Sequence, residues 1–126
     1  MKGKLKIILP LALLLVLGGL YKVVLAKPTD AKHKVDGQVY GFANCVVHEN
    51  TWETQAICYL EDLYVTPSAR GHGIGRALIE WLRNAMRAEG WARLYWHTRQ
   101  DNERARKLYD RFAEADDFVR YVIRQK

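Results

Sequence analysis

The chain has 126 residues, enough for one domain, and a formal net charge of +6. Residues 1–36 hold seven lysines against two aspartates, whereas residues 37–126 are nearly neutral, with 13 basic and 12 acidic groups. A polyanion-binding domain would be expected to carry its own basic stripe, so this distribution argues against nucleic-acid binding. Cys45 and Cys58 lack metal-ligand spacing, so the sequence predicts no metal site. It predicts two buried thiols, with a disulfide in an oxidising compartment as the alternative.

The chain begins with a hydrophobic tract. After the basic lead MKGKLK, residues 7–26 contain Lys22 as their single charge. These 20 residues would span roughly 30 Å as a helix, about the thickness of a bilayer core. The tract predicts either a membrane anchor with Lys22 at the headgroups or a signal peptide with Val24 and Ala26 before its cleavage site. The polar residues 27–36 predict a linker.

The tract KLKIILPLALLLVLGGLYKVVLAKP, with KVDGQVY after it, resembles the start of the flagellar basal-body-associated FliL family of membrane proteins. The resemblance covers about the first 40 residues, and nothing after Tyr40 continues it. It implies membrane association through residues 7–26.

Two strands and a hairpin follow. GQVYGFANCVV alternates small or apolar residues with others, and QAICYLEDLYV is rich in apolar and aromatic residues, so both predict strands. The polar HENTWET between them predicts the loop of a hairpin. If the hairpin is symmetric about this loop, Cys45 and Cys58 lie opposite each other.

The remaining elements alternate helix and strand. A stripe at helical spacing predicts an amphipathic helix that ends at Gly90: Ile74, Leu78, Trp81, Leu82 and Ala85. ARLYWHT predicts a short strand, and Asp101 or Asn102 can cap a second helix with the stripe Ala105, Leu108, Tyr109 and Phe112. DFVRYVI predicts a last strand. The order β-β-α-β-α-β predicts an α/β domain with a mixed sheet.

The glycine-rich stretch RGHGIGRAL stands at the start of the first helix. Its third glycine comes one residue too early for a dinucleotide-binding fingerprint, and Arg76 and Ala77 replace the Lys-Ser/Thr of a P-loop. A strand, a glycine turn and a helix N-terminus still form an anion site, to which Arg70 and Arg76 can add charge-assisted bonds. The alternative is a plain turn that uses glycine for its shape.

R-G-x-G-I-G directly after L-Y-V-x-P, with N-x-x-A-x-x-L-Y following at Asn102, Ala105, Leu108 and Tyr109, resembles the GCN5-related N-acetyltransferase (GNAT) family. The resemblance runs from about Gly37 to the C-terminus. It implies the acyl-CoA N-acyltransferase fold, acetyl-CoA as acetyl donor without a metal, and transfer to a primary amine of a small molecule or protein.

The resemblance also implies roles for individual residues. The backbone of Leu63, Tyr64 and Val65 would pair with the pantetheine arm, and Asn102, with Ala105 beside it, would contact the same arm. Tyr109 would be the general acid that protonates the departing thiolate. Asn102 could instead be only a helix cap, and Tyr109 only a core residue. The pyrophosphate would lie on the turn formed by Arg70, Gly71, His72, Gly73, Ile74, Gly75 and Arg76.

Candidate acceptor residues lie earlier in the domain. Glu61 and Asp62 are adjacent on a strand and should face opposite sides, so one of them would reach the acceptor. Glu61 is the first candidate for the general base and for amine binding, and Asp62 is the second. HENTW resembles a motif that faces the acceptor in one branch of the family, which makes His48 and Trp52 candidate substrate-binding residues. We interpret Trp96 and His97 as packing and edge residues.

The family's usual first strand and two helices have no counterpart in the sequence pattern. The sequence therefore predicts a hydrophobic helix over 1–26, a linker over 27–36 and an N-terminally truncated GNAT domain over 37–126. The uncovered sheet edge suggests a homodimer. Because acetyl-CoA is a cytoplasmic metabolite, the domain is expected in the cytoplasm, with tethering to the inner face of the membrane as one option. The alternatives are a non-catalytic membrane-tethered CoA-binding module or a non-functional fusion.

Overall fold

A computed structural model describes residues 20–29 and 34–126 of the chain. A four-stranded sheet and two helices make up this part. The elements are β1 (Leu20–Thr29), β2 (Lys34–His48), β3 (Ile57–Val65), a 3-10 turn (Pro67–Ala69), α1 (Ile74–Glu89), β4 (Leu94–Trp96) and α2 (Glu103–Tyr109).

The sheet has the order β1-β2-β3-β4. β1, β2 and β3 are antiparallel neighbours, and β3 and β4 are parallel, which confirms the predicted mixed sheet. α1 packs on one face of the sheet, because its apolar stripe is continuous along the helix. It ends, as predicted, at Gly90, whose φ of 71° lies in the left-handed region. The shared core consists of Ala43, Cys45, Cys58, Leu60, Ala69, Ile74, Leu78, Leu82 and Trp91.

β3 and β4 pair over only a short length. Their register runs from Cys58–Leu94 to Leu60–Trp96, and β3 then continues to Val65 without β4. The two parallel strands therefore part after Leu60, and the gap that this opens is where the candidate site lies.

The described part of the N-terminal tract is a strand. Leu20–Thr29 forms β1, so a helix over residues 7–26 is wrong for its last seven residues, and part of the predicted linker also lies in β1 and β2. Apolar β-branched runs suit a strand as well as a helix, and here the backbone of β2 supplies the partner. β1 also covers the edge of β2 that the sequence left exposed. Residues 1–19, which carry the rest of the predicted helix, lie outside the described part. No helix within the described residues is long and apolar enough to cross a membrane.

The two cysteines are offset. Cys45 pairs with Leu60 and Cys58 with Val47, because the hairpin closes at His48–Ile57 and its loop extends two residues beyond the predicted HENTWET. Both thiols are free and fully buried, as predicted. The hydrogen bond that the Cys45 thiol donates to Cys58, together with burial, raises the pKa of Cys45 well above its ordinary value. It is therefore an inert core side chain at neutral pH.

The predicted last strand is wrong in this structure. Residues 117–126 have no regular secondary structure, and Phe118, Tyr121 and Ile123 are exposed. An alternating apolar pattern is a local property, whereas a strand also requires a neighbouring backbone with which to pair. In the structure this segment makes no ladder with β4.

Candidate active site

Two cavities meet where β3 and β4 part. The larger, about 680 Å³, lies between the second half of β3, the glycine turn, the start of α1 and α2. The smaller, about 450 Å³, lies between β2, β3, the end of β4 and α2. Leu63, Tyr64 and Tyr109 line both. We call the larger the basic cavity and the smaller the acidic cavity, after the charged residues described below.

The glycine turn forms one wall of the basic cavity. Gly71 and Gly73 have φ values of 81° and 79°, in the left-handed region that favours glycine. A Cβ added to either would meet no atom within 4 Å, so the backbone conformation rather than crowding requires glycine in the free protein. No side chain caps α1 at Gly73, so the first N–H groups of this helix are available to an anion.

Gly75 has a different role. A Cβ at this position would lie 3.2 Å from Cδ2 of Leu108. The third glycine of the motif therefore allows the start of α1 to approach α2 closely, although Gly75 also lines the basic cavity.

Among the residues that the structure describes, no Asp or Glu lines the basic cavity, whereas five basic side chains do: Arg70, Arg76, Arg104, Lys107 and Arg111. Arg104, Lys107 and Arg111 were not predicted from the sequence as site residues. Arg104 and Lys107 lie three residues apart on α2, and Arg111 follows in the turn after the helix, so a spacing of three and then four residues is the pattern that could have revealed them. Arg76 also contacts Glu80, with 3.0 Å between Nε and Oε1, in an exposed pair that a stronger anion can displace.

The exposed edge of β3 matches the expected place for the pantetheine arm. Leu63, Tyr64 and Val65 line the basic cavity, and within the described chain no strand pairs with this side of β3 beyond Leu60. Arg70 Nε donates a hydrogen bond of 3.0 Å to the carbonyl of Val65, so one acceptor on this edge is already engaged.

Asn102 lines the basic cavity but also caps α2. Its Oδ1 accepts a hydrogen bond from the N–H of Ala105 at 3.4 Å, and its Nδ2 donates to Thr98 Oγ1 at 2.9 Å. The capping role that the sequence left open is therefore present. Contact with a ligand would have to share or replace these bonds.

Tyr109 ends α2 at the junction of the two cavities. Its ring meets that of Trp96 edge-on, with 5.4 Å between the centroids. Burial raises the pKa of Tyr109, which keeps its hydroxyl protonated at neutral pH. A protonated hydroxyl at this junction is suited to donate a proton.

Glu61 and Asp62 both line the acidic cavity. The sequence pattern predicted that only one of them would reach the acceptor, whereas both lie at this cavity, where the register with β2 shifts between Asn44–Asp62 and Cys45–Leu60 and leaves Glu61 as an extra residue. Such a bulge interrupts the alternation of a strand. Asp62 Oδ2 accepts a hydrogen bond of 2.9 Å from Asn44 Nδ2, which fixes that carboxylate.

Three other candidates do not line either cavity. Trp52 is 81% exposed in the hairpin loop. His48 turns toward β4, where its Nε2 lies 2.9 Å from the hydroxyl of Tyr95. His72 folds back on its own turn, where Nδ1 lies within hydrogen-bond distance of the carbonyls of Ala69 and Arg70.

His97, interpreted from the sequence as an edge residue, lines the acidic cavity. It follows β4 directly, at the point where β3 and β4 separate. No group of three or more His, Cys, Asp or Glu side chains that could hold a metal is present in the described ranges. Fold and site together define a class of protein: an α/β domain that can hold a phosphorylated carrier in a basic cleft beside an acidic pocket.

Comparison with known proteins identifies the family. Residues 26–113 match the acetyltransferase (GNAT) family, so the chain belongs to that family, whose enzymes use acetyl-CoA. It is 39% identical over 85 residues to the D-amino-acid N-acetyltransferase HPA3 of Saccharomyces cerevisiae, covering 68% of this chain and 53% of that protein. It is 31% identical over 97 residues to the thialysine N-epsilon-acetyltransferase of Bos taurus, covering 76% of this chain and 56% of that protein.

A solved structure shares the fold. The ribosomal-protein-alanine N-acetyltransferase from Brucella melitensis biovar Abortus 2308 superposes with a TM-score of 0.71 and 28% identity, over 89% of this chain and 75% of that one. The chain spans about half the length of the two curated relatives it matches. The family assignment confirms the resemblance seen from Gly37 onward, and the match begins earlier, within β1.

Proposed function

We propose that the protein is an N-acetyltransferase that moves acetyl from acetyl-CoA to a primary amine of a small molecule. The observation that carries the proposal is the meeting of a basic and an acidic cavity at Tyr109. The first suits a polyphosphate carrier and the second a cationic amine. Both substrates would be bound together, so that the amine attacks the thioester directly.

The basic cavity fits coenzyme A. Its volume of about 680 Å³ lies in the range of small-molecule sites, and its five cations face no carboxylate in the same lining. The pyrophosphate would lie against the N–H groups of the glycine turn and of α1, with Arg70 and Arg76. The free edge of β3 at Leu63–Val65 would pair with the pantetheine arm, and Arg104, Lys107 and Arg111 would hold the remaining phosphate.

The acidic cavity supports a small cationic acceptor. Glu61 and Asp62 present two carboxylates to its 450 Å³, and the curated relatives are named for acetyl transfer to amino acids. A protein amine is the other acceptor class, which the Brucella enzyme's name illustrates. Among small molecules, free amino acids and diamines are the first to test, because their ammonium groups match the carboxylates.

A second candidate is a CoA-binding module without catalysis. It is favoured by the chain's matching only about half of its relatives' length. This candidate predicts stabilisation by CoA without turnover.

We place the working protein in the cytoplasm, where acetyl-CoA is made and used. Membrane tethering rests on residues 7–26 and the FliL resemblance on about the first 40 residues, and neither carries any part of the proposed activity. A homodimer remains a separate proposal, now without the exposed β2 edge that suggested it.

The experiment is thiol release from acetyl-CoA by the full chain with a panel of amino acids, diamines and aminoglycosides. Acetylated product measured by mass spectrometry confirms transfer rather than hydrolysis. CoA-dependent thermal stabilisation without product on any acceptor would favour the binding module.

A further inference from the structure

Four aromatic side chains form a row of rings on the side of the sheet away from α1: His48, Tyr95, Tyr59 and His97. His48 Nε2 lies 2.9 Å from the hydroxyl of Tyr95, whose ring is tilted against that of Tyr59 with 5.1 Å between centroids. The Tyr59 hydroxyl in turn lies 3.3 Å from His97 Nδ1. The row of rings therefore runs from the hairpin loop to the acidic cavity, which His97 lines.

At the hairpin end of the row of rings, a hydrogen bond to the backbone holds His48. His48 Nδ1 lies 2.8 Å from the carbonyl oxygen of Glu49, and a carbonyl can only accept, so this nitrogen donates. In the neutral imidazole, Nε2 then accepts from Tyr95. Tyr95 and Tyr59 are direct partners in the β3–β4 ladder, so the strands themselves hold the two phenols side by side.

The row of rings ends at the acidic cavity with His97. The contact with Tyr59 engages His97 through Nδ1, and Nε2 lies on the opposite side of the ring. When Nδ1 donates to the phenol oxygen, Nε2 carries the lone pair. The side chain is exposed, so a proton received there can pass to solvent.

The carboxylates of the same cavity are less suited to this task. Asp62 is fixed by Asn44, and carboxylates are in general far weaker bases than imidazole, whose charge changes between about pH 5 and 8. Efficient proton transfer favours a base matched to the working pH. Glu61 and Asp62 can then serve to attract the cationic amine.

We propose that His97 is the catalytic residue that accepts the proton of the attacking amine, with Tyr59 as its positioning residue. This rests on the proposed acetyl transfer. The bound ammonium first loses one proton to solvent, so that a neutral amine attacks. The bond between the amine nitrogen and the acetyl carbon then forms, the carbon–sulfur bond breaks, and the nitrogen's second proton goes to His97 Nε2. The departing sulfur takes the hydroxyl proton of Tyr109, and both side chains then return to their starting state by exchange with solvent.

Other titratable groups share this environment and would shape any pH profile. They come from β3, β4 and α2: Tyr59, Glu61, Asp62, Tyr95 and Tyr109.

The test measures kcat, KM for the amine, and Kd for acetyl-CoA between pH 5 and 9 in the full chain. His97→Gln should lower kcat about 100-fold or more and remove the acidic limb of the kcat profile, while Kd for acetyl-CoA stays unchanged. Tyr59→Phe should lower kcat several-fold and leave the limb in place. Added imidazole should restore part of the activity of His97→Ala.

Two controls separate the alternatives. His48→Gln alters the histidine at the other end of the same row of rings and should retain the acidic limb of the kcat profile. Glu61→Gln should raise KM more than it lowers kcat. If His97→Gln retains kcat and the limb, or if the limb is lost only in Glu61→Gln, the assignment to His97 is wrong while acetyl transfer stands. A wild-type chain that acetylates no amine would overturn the proposed function and this inference with it.

Discussion

At the scale of single residues, Tyr109 occupies the position that couples the two cavities. Its hydroxyl is predicted to protonate the thiolate, and its raised pKa keeps that proton in place at neutral pH. Tyr109→Phe removes the proton donor but retains the ring against Trp96. We expect kcat to fall by about 100-fold, the lower end for general acids because a thiolate leaves readily, with little change in Kd for acetyl-CoA.

The pH dependence gives this prediction a second readout. Because the pKa of Tyr109 is raised above its ordinary value of 10.0, the loss of activity caused by its ionisation should begin only above that pH. Wild type and Tyr109→Phe should therefore differ by a constant factor between pH 7 and 9. Equal turnover of the two proteins would contradict the assignment.

Substitutions at Gly73 can separate the effect of an added charge from the effect of an added side chain. Asn and Asp are nearly isosteric, and both tolerate the left-handed conformation that this position requires. The added carboxylate of Gly73→Asp lies at the N-terminus of α1, where the helix dipole stabilises it by about 0.3–1 kcal/mol. A phosphate bound about 4 Å away would be repelled by up to ~4 kcal/mol.

Relative to Gly73→Asn, Gly73→Asp should thus gain or keep stability but lose affinity for CoA. Thermal melting should show Gly73→Asp at least as stable as Gly73→Asn, while calorimetric titration shows at least tenfold weaker CoA binding. Equal CoA affinity in the two variants would mean that no phosphate lies on this turn.

At the scale of elements, α2 and the turn after it carry three basic side chains that line the basic cavity. Arg104→Gln, Lys107→Gln and Arg111→Gln each remove one exposed charge, and exposed pairs are worth about 0.2–1 kcal/mol, or up to about fivefold in Kd. The triple variant should weaken CoA binding more than tenfold, and less so in high salt.

A matched control removes the same type of charge elsewhere. Arg87→Gln lies on the exposed last turn of α1, away from both cavities, and should leave CoA affinity unchanged. A comparable loss in Arg87→Gln would assign the effect to net charge rather than to contact.

The sequence predicted α1, α2 and the central strands because their periodicity reflects the face that each buries. Prediction from the sequence failed where the structure depends on contacts with segments distant in the sequence. The bulge at Glu61 is set by the register of β3 on β2, so the strand pattern alone could not place both carboxylates in one cavity. The position of His97 at the acidic cavity likewise follows from the divergence of two strands, which is not a local property.

Motif resemblance located the glycine turn, Asn102 and Tyr109, all of which line the basic cavity. It did not anticipate that Asn102 is already engaged as a cap, because that depends on the local path of the chain from Thr98. The basic side of α2 was visible in the spacing of its cations, but basic residues on a helix are usually only solvated.

At the scale of the whole molecule, the C-terminal segment stands apart from the packed domain. Phe118, Val119, Tyr121 and Ile123 are at least 74% exposed, whereas Phe112, before this segment, packs under the guanidinium of Arg83. Deleting residues 117–126 removes no buried side chain. The free energy of unfolding should therefore change by less than about 0.5 kcal/mol, as for surface substitutions.

Urea denaturation of the full and shortened chains measures this directly, with CoA titration as a parallel readout. The shortened chain should also aggregate less, because it loses a run of exposed apolar side chains. A control variant, Phe112→Ala, should be clearly less stable, because it removes the ring that the Arg83 contact holds. If the shortened chain is instead destabilised by several kcal/mol, the segment packs on the domain in solution, and the exposed arrangement of residues 117–126 is wrong.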